Sequence, residues 1–229
     1  MYKTGVPNDV GFHQQTKIEP AKWPFLERVL KQYNKKISVL DIGCSAGNKL
    51  LYLYKKGYRK IYGIDYAARV FQHIWKQLPY LHINQGNAEN LRRFRNQQFE
   101  IVYACHLLEH LPHPKKCVKE VSRILKRNGT FVLGIPNGYH LSDIIMRIVQ
   151  KIVYGRTDHL QTFDLKKITE LLRSYSLRVT KADIDKGSLE FLHDVRLNRK
   201  TMKIPEQFLY PLVKKIYWKD LYFNIVAKK

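Results

Sequence analysis

The chain has 229 residues, 45% of them apolar, and its 41 lysines and arginines against 19 aspartates and glutamates give a formal net charge of +22. Charges interrupt every apolar run well before the roughly 18 residues that a membrane span needs, which excludes a transmembrane segment. The excess charge favours association with an anion such as nucleic acid, an acidic membrane surface or a phosphorylated substrate, but it does not bear on the fold.

The first 137 residues alternate between short apolar strands and helical patterns. Predicted helices cover 22–35, Lys49–Lys56, Tyr66–Gln77 and Lys115–Lys126, and predicted strands cover Ile37–Ile42, Lys60–Ile64, Leu81–Asn84, Phe99–Ala104 and Thr130–Ile135. Asn128-Gly129 is expected to stop the last of these helices. Because strand–helix alternation produces parallel strands covered by helices, the pattern predicts a doubly wound α/β sheet with helices on both faces.

The remaining residues are less regular. They predict a helix with an apolar stripe over Leu141–Val153, a helix over Asp164–Ser174 with Asp164 as its N-cap, and strands over Leu177–Ala182 and Leu221–Ala227. These strands complete a seven-stranded, mostly parallel sheet whose last strand is antiparallel. A second amphipathic stretch, Pro205–Tyr217, is compatible with packing on the sheet, with pairing to a second subunit or with contact to an anionic bilayer.

The turn after the first strand is the most informative stretch of the sequence. Asp41-Ile42-Gly43-Cys44-Ser45-Ala46-Gly47 joins a strand to a helix, and its glycines let the backbone approach a ligand at the helix N-terminus. Asp65 lies 22 residues after Gly43, at the end of the next strand, where a carboxylate can accept both hydroxyls of a ribose. A nucleotide-containing cofactor is therefore expected here.

Two other functions use similar turns. A nicotinamide-dependent dehydrogenase requires G-x-G-x-x-G, whereas this chain has Ser45 in place of the second glycine and a different spacing. Gly43–Gly47 also matches the G-x-S-x-G of hydrolases, but that motif normally follows a central strand rather than the first one.

Over residues 37–180, the chain resembles the class I S-adenosylmethionine-dependent methyltransferases, especially the group of ubiquinone-pathway and "type 11" enzymes. The matching stretches, in order, are Asp41–Gly47, Asp65-Tyr66, Gly86–Glu89, Phe99–Val102, Leu107–Pro114, and Ile124–Gly129 followed by Gly134–Asn137. The chain departs from the family pattern at Ser45 for glycine, at Asn87 for an acid and at Glu100 for aspartate.

The resemblance implies that S-adenosylmethionine is the cofactor. In the family, the turn after the first strand holds the methionine part, Asp65 the ribose, Tyr66 the adenine face and Asn87 the adenine amino group. The full set of residues expected to bind the cofactor is Asp41, Gly43, Cys44, Ser45, Gly47, Asp65, Tyr66, Asn87, Ala88, Cys105 and His106.

The expected organisation is a single methyltransferase domain spanning 1–229. It comprises an N-terminal helical cap (1–35), a cofactor-binding core (36–137), an inserted helix or lid (138–163), and a C-terminal part of the sheet (164–229) with an insertion at 185–219. The start has no apolar block of a signal peptide and the cysteines number three, so reduced thiols and a cytoplasmic location are expected.

Histidines are the candidate catalytic residues, because an imidazole can accept or donate a proton near neutral pH. His106, His110 and His159 are the candidates, with His106 expected nearest the methyl group. His106-x-x-Glu109-His110 also resembles the E-x-x-E-H stretch with which small-RNA 3′-end methyltransferases hold magnesium, and His159 is a candidate for their distant histidine. Since imidazoles suit zinc, nickel or iron better than magnesium, no metal is expected for that activity.

The sequence excludes some classes of methyl acceptor but does not identify the acceptor itself. Ala104-Cys105-His106 stands where amino-methylating enzymes carry D/N-P-P-Y/F, and no recognised nucleic-acid-binding module is appended. The expected acceptor is an oxygen or carbon of a small molecule, lipid or glycan. RNA is the alternative favoured by the charge, and a cofactor-binding protein without catalysis is the second alternative; the oligomeric state is left open.

Overall fold

The computed structural model describes residues 18–140, 159–185 and 222–229, together with 143–144, 147–148, 151–152, 155 and 157 between them. The amphipathic stretch Pro205–Tyr217 and nearly all of the insertion expected at 185–219 lie outside the described residues. The division of the chain into cap, core, lid and C-terminal part stays a prediction.

Seven strands form one sheet in the order β3-β2-β1-β4-β5-β7-β6. Their bounds are β1 Ser38–Ile42, β2 Lys60–Asp65, β3 His82–Gln85, β4 Phe99–Cys105, β5 Leu125–Pro136, β6 Arg178–Asp185 and β7 Tyr222–Lys228. The first five strands in this order, β3, β2, β1, β4 and β5, pair in parallel, whereas β7 is antiparallel to both of its neighbours. The predicted seven-stranded, doubly wound sheet with an antiparallel last strand is thus confirmed.

Helices cover both faces of this sheet, as predicted. They are α1 Pro24–Leu30, α2 Asn48–Lys55, α3 Ala68–Trp75, α4 Pro114–Ile124 and α5 Leu165–Arg173, with a 3₁₀ turn at Leu108–His110. Successive strand residues point to opposite faces, so Val39 joins the core under α1, α2 and α3, while Leu40 joins the core under α4 and α5. From β1 the chain builds the sheet outwards to β2 and β3, and it then returns to place β4 and β5 on the other side of β1. Ligands of such sheets bind beyond the carboxyl ends of the strands, at the point where the order reverses between β1 and β4.

The largest errors in the predicted boundaries are at the end of the first helix and at the start of the fifth strand. The helix expected over 22–35 ends at Leu30, where the amides of Gln32 and Tyr33 bond three positions back and tighten the last turn. The helix expected over Lys115–Lys126 ends at Ile124, and β5 starts at Leu125 rather than at Thr130. Leu125 is fully buried and pairs with Phe99, and a register shift in the strand accommodates Asn128-Gly129, so the turn residues interrupt the strand instead of preceding it.

The N-cap prediction was correct. Asp164 has extended backbone angles, and its Oδ1 accepts a hydrogen bond from the backbone N–H of Lys167 at 2.6 Å.

In the segment expected to form a lid, Arg147 links the helical residues to Gly138 and Thr162, near the two ends of the segment. All of its described residues between 143 and 152 are helical, and Arg147 donates to Thr162 Oγ1 at 2.6 Å and to the carbonyl of Gly138 at 3.0 Å. The apolar stripe is not part of the core at Ile148 and Ile152, which are 53% and 78% exposed. Within the described part of the chain, no helix combines the length and apolar character needed to cross a bilayer.

Glu100, which replaces the aspartate of the family pattern, connects three strands. Its carboxylate accepts the backbone N–H of Ser38 at 2.7 Å and the Ser38 hydroxyl at 2.6 Å, and it pairs with the ammonium of Lys126. Burial by itself would raise the pKa of Glu100, but Lys126 and Ser38 outweigh it and lower the pKa to about 2.

We expect this carboxylate to contribute to acid sensitivity. A folded-state pKa of about 2 lies below the ordinary 4.5, so its stabilisation is complete above pH 4.5 and is lost as the pH falls towards 2. Denaturant unfolding at a series of pH values should therefore show a shallower decline in the free energy of unfolding for Glu100→Gln than for the wild type. Glu170→Gln, an exposed position on α5, is the control and should keep the wild-type slope; equal slopes for Glu100→Gln and the wild type would refute the assignment.

Candidate active site

The loop after β1 is held against the end of β2 by backbone hydrogen bonds. The N–H groups of Gly43 and Cys44 both donate to the carbonyl of Ile64, at 2.8 and 3.2 Å. Gly43 and Gly47 have φ of 78° and 94°, and Ser45 has φ of 49°. The glycines adopt this left-handed backbone at little cost, whereas Ser45 is strained, which accounts for the family's preference for glycine there.

Asp65 holds the same loop from the other strand. Its Oδ2 accepts the backbone N–H of Ser45 and its Oδ1 that of Ala67, both at 2.8 Å. Burial raises the pKa of Asp65, and these amide donors oppose the shift. The residue expected to bind the ribose is therefore also the residue that shapes the loop beside it.

A cavity of about 450 Å³ opens at this edge of the sheet. It contains five of the residues predicted to bind the cofactor: Gly43, Asp65, Tyr66, Asn87 and Ala88. Its volume falls within the range that accommodates small ligands and cofactors. Tyr66 lines the cavity and is 44% exposed, so it is accessible to a ligand.

The other predicted cofactor residues are not among those that line the cavity: Asp41, Cys44, Ser45, Gly47, Cys105 and His106. Burial raises the pKa of Asp41 to about 7, against the opposing effect of Lys49, and raises that of Cys105 to about 11. Cys44 is buried, and all three cysteines are free thiols. Direct contact of these six residues with the cofactor remains a prediction.

Sequence reasoning missed several lining residues, namely Ile64, Gly86, Glu89, Leu107, Leu111, Pro112 and Leu160. All but Ile64 and Leu160 belong to stretches that already carried the resemblance. Leu160 has no such signal, because it reaches the cavity through a tertiary contact. The N–H groups of Leu160 and Gln161 donate to the carbonyl of Glu109 at 2.8 and 2.9 Å, which docks their segment on the 3₁₀ turn.

Glu109 places a buried carboxylate beside the cavity. Its side chain is 1% exposed, and its Oε1 lies 3.4 Å from Nδ1 of His106 and 3.8 Å from Nε2 of His110. No described residue forms a hydrogen bond of standard geometry with Oε1 or Oε2 of Glu109. Burial alone would raise the pKa of Glu109, but His106 and His110 outweigh it and lower the pKa.

His110 and His159, both predicted as catalytic, come together next to this carboxylate. Their rings are 5.0 Å apart, and Nδ1 of His159 lies 2.9 Å from Oδ1 of Asp143. One donor atom from each of Glu109, His110 and His159 falls within 4.8 Å of the others. His110 lines the cavity, so this group of three reaches the site expected to bind the cofactor.

His106, the third predicted catalytic residue, also faces Glu109 but is not part of that group of three. Its φ is 54°, its N–H donates to the carbonyl of Gly134 at 2.9 Å, and its ring contacts Tyr222 edge-on with centroids 4.6 Å apart. A non-glycine residue held in this strained conformation at the end of β4 is typical of a functional position.

Comparison with known proteins finds several methyltransferases to which this chain is similar. The family model described as a methyltransferase domain matches residues 40–133. The mitochondrial ubiquinone biosynthesis O-methyltransferase of Dictyostelium discoideum is 27% identical over 156 residues, which are 56% of this chain. The match spans 48% of that relative, so the chain covers about half of its length.

Solved structures with the same fold cover nearly the whole chain. An S-adenosylmethionine-dependent methyltransferase from Archaeoglobus fulgidus superposes with a TM-score of 0.65 and 19% identity, over 89% of this chain and 91% of its own. A methyltransferase solved with the Haloferax volcanii Trm112 methyltransferase activator gives a TM-score of 0.65 and 16% identity, over 90% of this chain and 88% of the other.

Replacing Asp65 with alanine should weaken S-adenosylmethionine binding at least tenfold, about 1.4 kcal/mol, because the ribose acceptor and the loop tie are both lost. Isothermal titration calorimetry of wild type, Asp65→Ala and Asp65→Asn measures the change, and the asparagine variant keeps one acceptor for the loop amides. Asp183→Ala, distant on β6, should bind like the wild type. An unchanged affinity in folded Asp65→Ala would rule out the ribose role.

Proposed function

We propose that the chain is an S-adenosylmethionine-dependent methyltransferase, which its match to a methyltransferase domain and its class I fold support, and that it transfers the methyl group to a hydroxyl oxygen of a small-molecule or lipid acceptor. The observation that carries this proposal is the carboxylate of Glu109, buried beside the cavity with the imidazoles of His106 and His110 facing it.

An oxygen acceptor requires a group that takes its proton. A neutral hydroxyl is a weak nucleophile, so a positioned base accelerates its attack by about 10²- to 10⁴-fold. The imidazole of His106 would accept the proton, while the carboxylate of Glu109, 3.4 Å from its Nδ1, would stabilise the resulting imidazolium. We assign this role to His106.

The transfer is a single displacement in this proposal. S-adenosylmethionine, which Asp65, Tyr66 and Asn87 would hold, would supply an electrophilic methyl group to the acceptor oxygen and would leave as a neutral thioether. The hydroxyl proton goes to His106. Since the cofactor supplies the reactivity, the protein mainly supplies position, a base and exclusion of water.

The surroundings of the cavity favour an apolar acceptor. Three leucines line it, namely Leu107, Leu111 and Leu160. The helical residues of the segment expected to form a lid include two exposed apolar side chains, Ile148 and Ile152. The Dictyostelium relative is named as an O-methyltransferase of ubiquinone biosynthesis, which agrees with an oxygen acceptor. The net charge of +22 would then attract an anionic substrate or surface.

The acceptor class is tested by incubating the protein with methyl-labelled S-adenosylmethionine and a cell extract, and then separating lipid, small-molecule, RNA and protein fractions. We expect label in the lipid or small-molecule fraction, in a product that resists the mild acid and base that cleave methyl esters. Label confined to RNA would overturn the proposal in favour of an RNA methyltransferase. Because the Haloferax methyltransferase was solved with an activator, the extract also supplies any protein partner that turnover requires.

The base is tested with His106→Gln. This variant should lower kcat on the identified acceptor by about 10²- to 10⁴-fold, because the proton acceptor is lost, while binding of S-adenosylmethionine changes little. His73→Gln, on the exposed side of α3, removes a histidine outside the site and should retain full activity. A wild-type kcat in His106→Gln would contradict the assignment.

A further inference from the structure

We propose that Glu109, His110 and His159 form a binding site for a divalent transition metal, with Asp143 orienting His159. The proposal deepens the function inferred above and depends on it only for the role of the ion during methyl transfer.

The three ligands come from parts of the chain that meet only in the folded protein. Glu109 and His110 lie in the 3₁₀ turn after β4, and His159 lies some 50 positions later. The hydrogen bonds from Leu160 and Gln161 to the carbonyl of Glu109 bring the later segment onto the turn. Their donor atoms then fall within 4.8 Å of one another. A side-chain rotation that closes this separation to roughly 3.5 Å would let one ion bind all three at ligand distances near 2.0–2.2 Å.

The carboxylate is an independent indication of a ligand. Burying a carboxylate costs free energy unless it is paired or coordinates a metal. Glu109 is 1% exposed, and the imidazoles of His106 and His110 lie 3.4 and 3.8 Å from its Oε1, distances that are long for hydrogen bonds. A cation bound between Glu109, His110 and His159 would supply the missing compensation.

Asp143 provides the second layer that metal-bound histidines usually have. Its Oδ1 lies 2.9 Å from Nδ1 of His159, and its Oδ2 lies 3.1 Å from Nε of Arg147. A carboxylate on Nδ1 fixes the tautomer in which Nε2 carries the lone pair, so Nε2 would be the coordinating nitrogen. Arg147 in turn is fixed to Gly138 and Thr162, which holds this carboxylate in place.

The donor set selects the class of metal. Two imidazoles and one carboxylate suit zinc, cobalt, nickel or iron, whereas magnesium prefers oxygen ligands. The sequence-based expectation of no metal rested on a magnesium site that included His106. In the structure His106 is outside the group of three, and the remaining ligands match a different kind of ion.

The position of the site gives the ion a role. His110 lines the cavity, so an ion held there would reach an acceptor hydroxyl placed against the cofactor. A coordinated hydroxyl has a lowered pKa and loses its proton more easily to a base. Three protein ligands also leave a coordination position for the acceptor, as in catalytic zinc sites.

Metal binding is tested without cofactor or acceptor, on untagged protein treated with a chelator and then dialysed. Titration with Co²⁺ should produce visible absorption bands saturating at one ion per chain, and calorimetry with Zn²⁺ should give the same stoichiometry. His159→Gln and Glu109→Gln should weaken Co²⁺ binding by at least a hundredfold, and Asp143→Asn by about 10- to 100-fold, because it acts through His159. His73→Gln is the matched control and should bind like the wild type.

Thermal unfolding separates loss of the site from loss of the fold. Zn²⁺ should raise the melting temperature of the wild type and of His73→Gln but not that of His159→Gln. Because His159→Gln retains the buried carboxylate of Glu109, it still tests the site if Glu109→Gln does not fold. Absence of Co²⁺ bands in the wild type, or bands that persist in His159→Gln, would overturn the metal site. If the site binds metal but label appears only in RNA, the proposed acceptor fails and the site stands.

Discussion

Three backbone amides hold the loop after β1 against the end of β2, and the cavity depends on that attachment. Gly43 and Cys44 bond to the carbonyl of Ile64, and Ser45 bonds to the carboxylate of Asp65. With the loop fixed, the strand ends of β1, β2 and β4 present their side chains to one space. This is the place where the sheet order reverses, so neighbouring loops diverge and leave room for a ligand.

Glu109 plays the matching part on the opposite side of the cavity. Its backbone carbonyl docks residues 160 and 161, while its side chain brings a negative charge among three histidines. One residue therefore positions the segment that covers the site and sets the electrostatics within it. A change that shifted the 3₁₀ turn would therefore alter both at once.

The sequence predicted the sheet and most helices, because these depend on local patterns, and five of the residues that it predicted to bind the cofactor line the cavity. Strand–helix alternation, the D-x-G turn and the Asp164 N-cap each involve residues close in sequence. The start of β5 at Leu125 was not predictable in this way, since pairing with Phe99 overrides a local turn signal at Asn128-Gly129. The meeting of His159 with Glu109 and the entry of Leu160 into the cavity required long-range contacts that periodicity does not report.

The placement of β7 has a consequence for the order of assembly. β7 is the last described strand in the sequence, yet it lies between β5 and β6 and pairs with both. During synthesis on the ribosome, β5 and β6 therefore emerge before the strand that joins them, and both wait with an unpaired edge. Such edges bind other chains readily. The nascent protein is thus prone to aggregation until residues 222–228 leave the exit tunnel. The residues that line the cavity, of which Leu160 is the last in the sequence, have all been synthesised well before then.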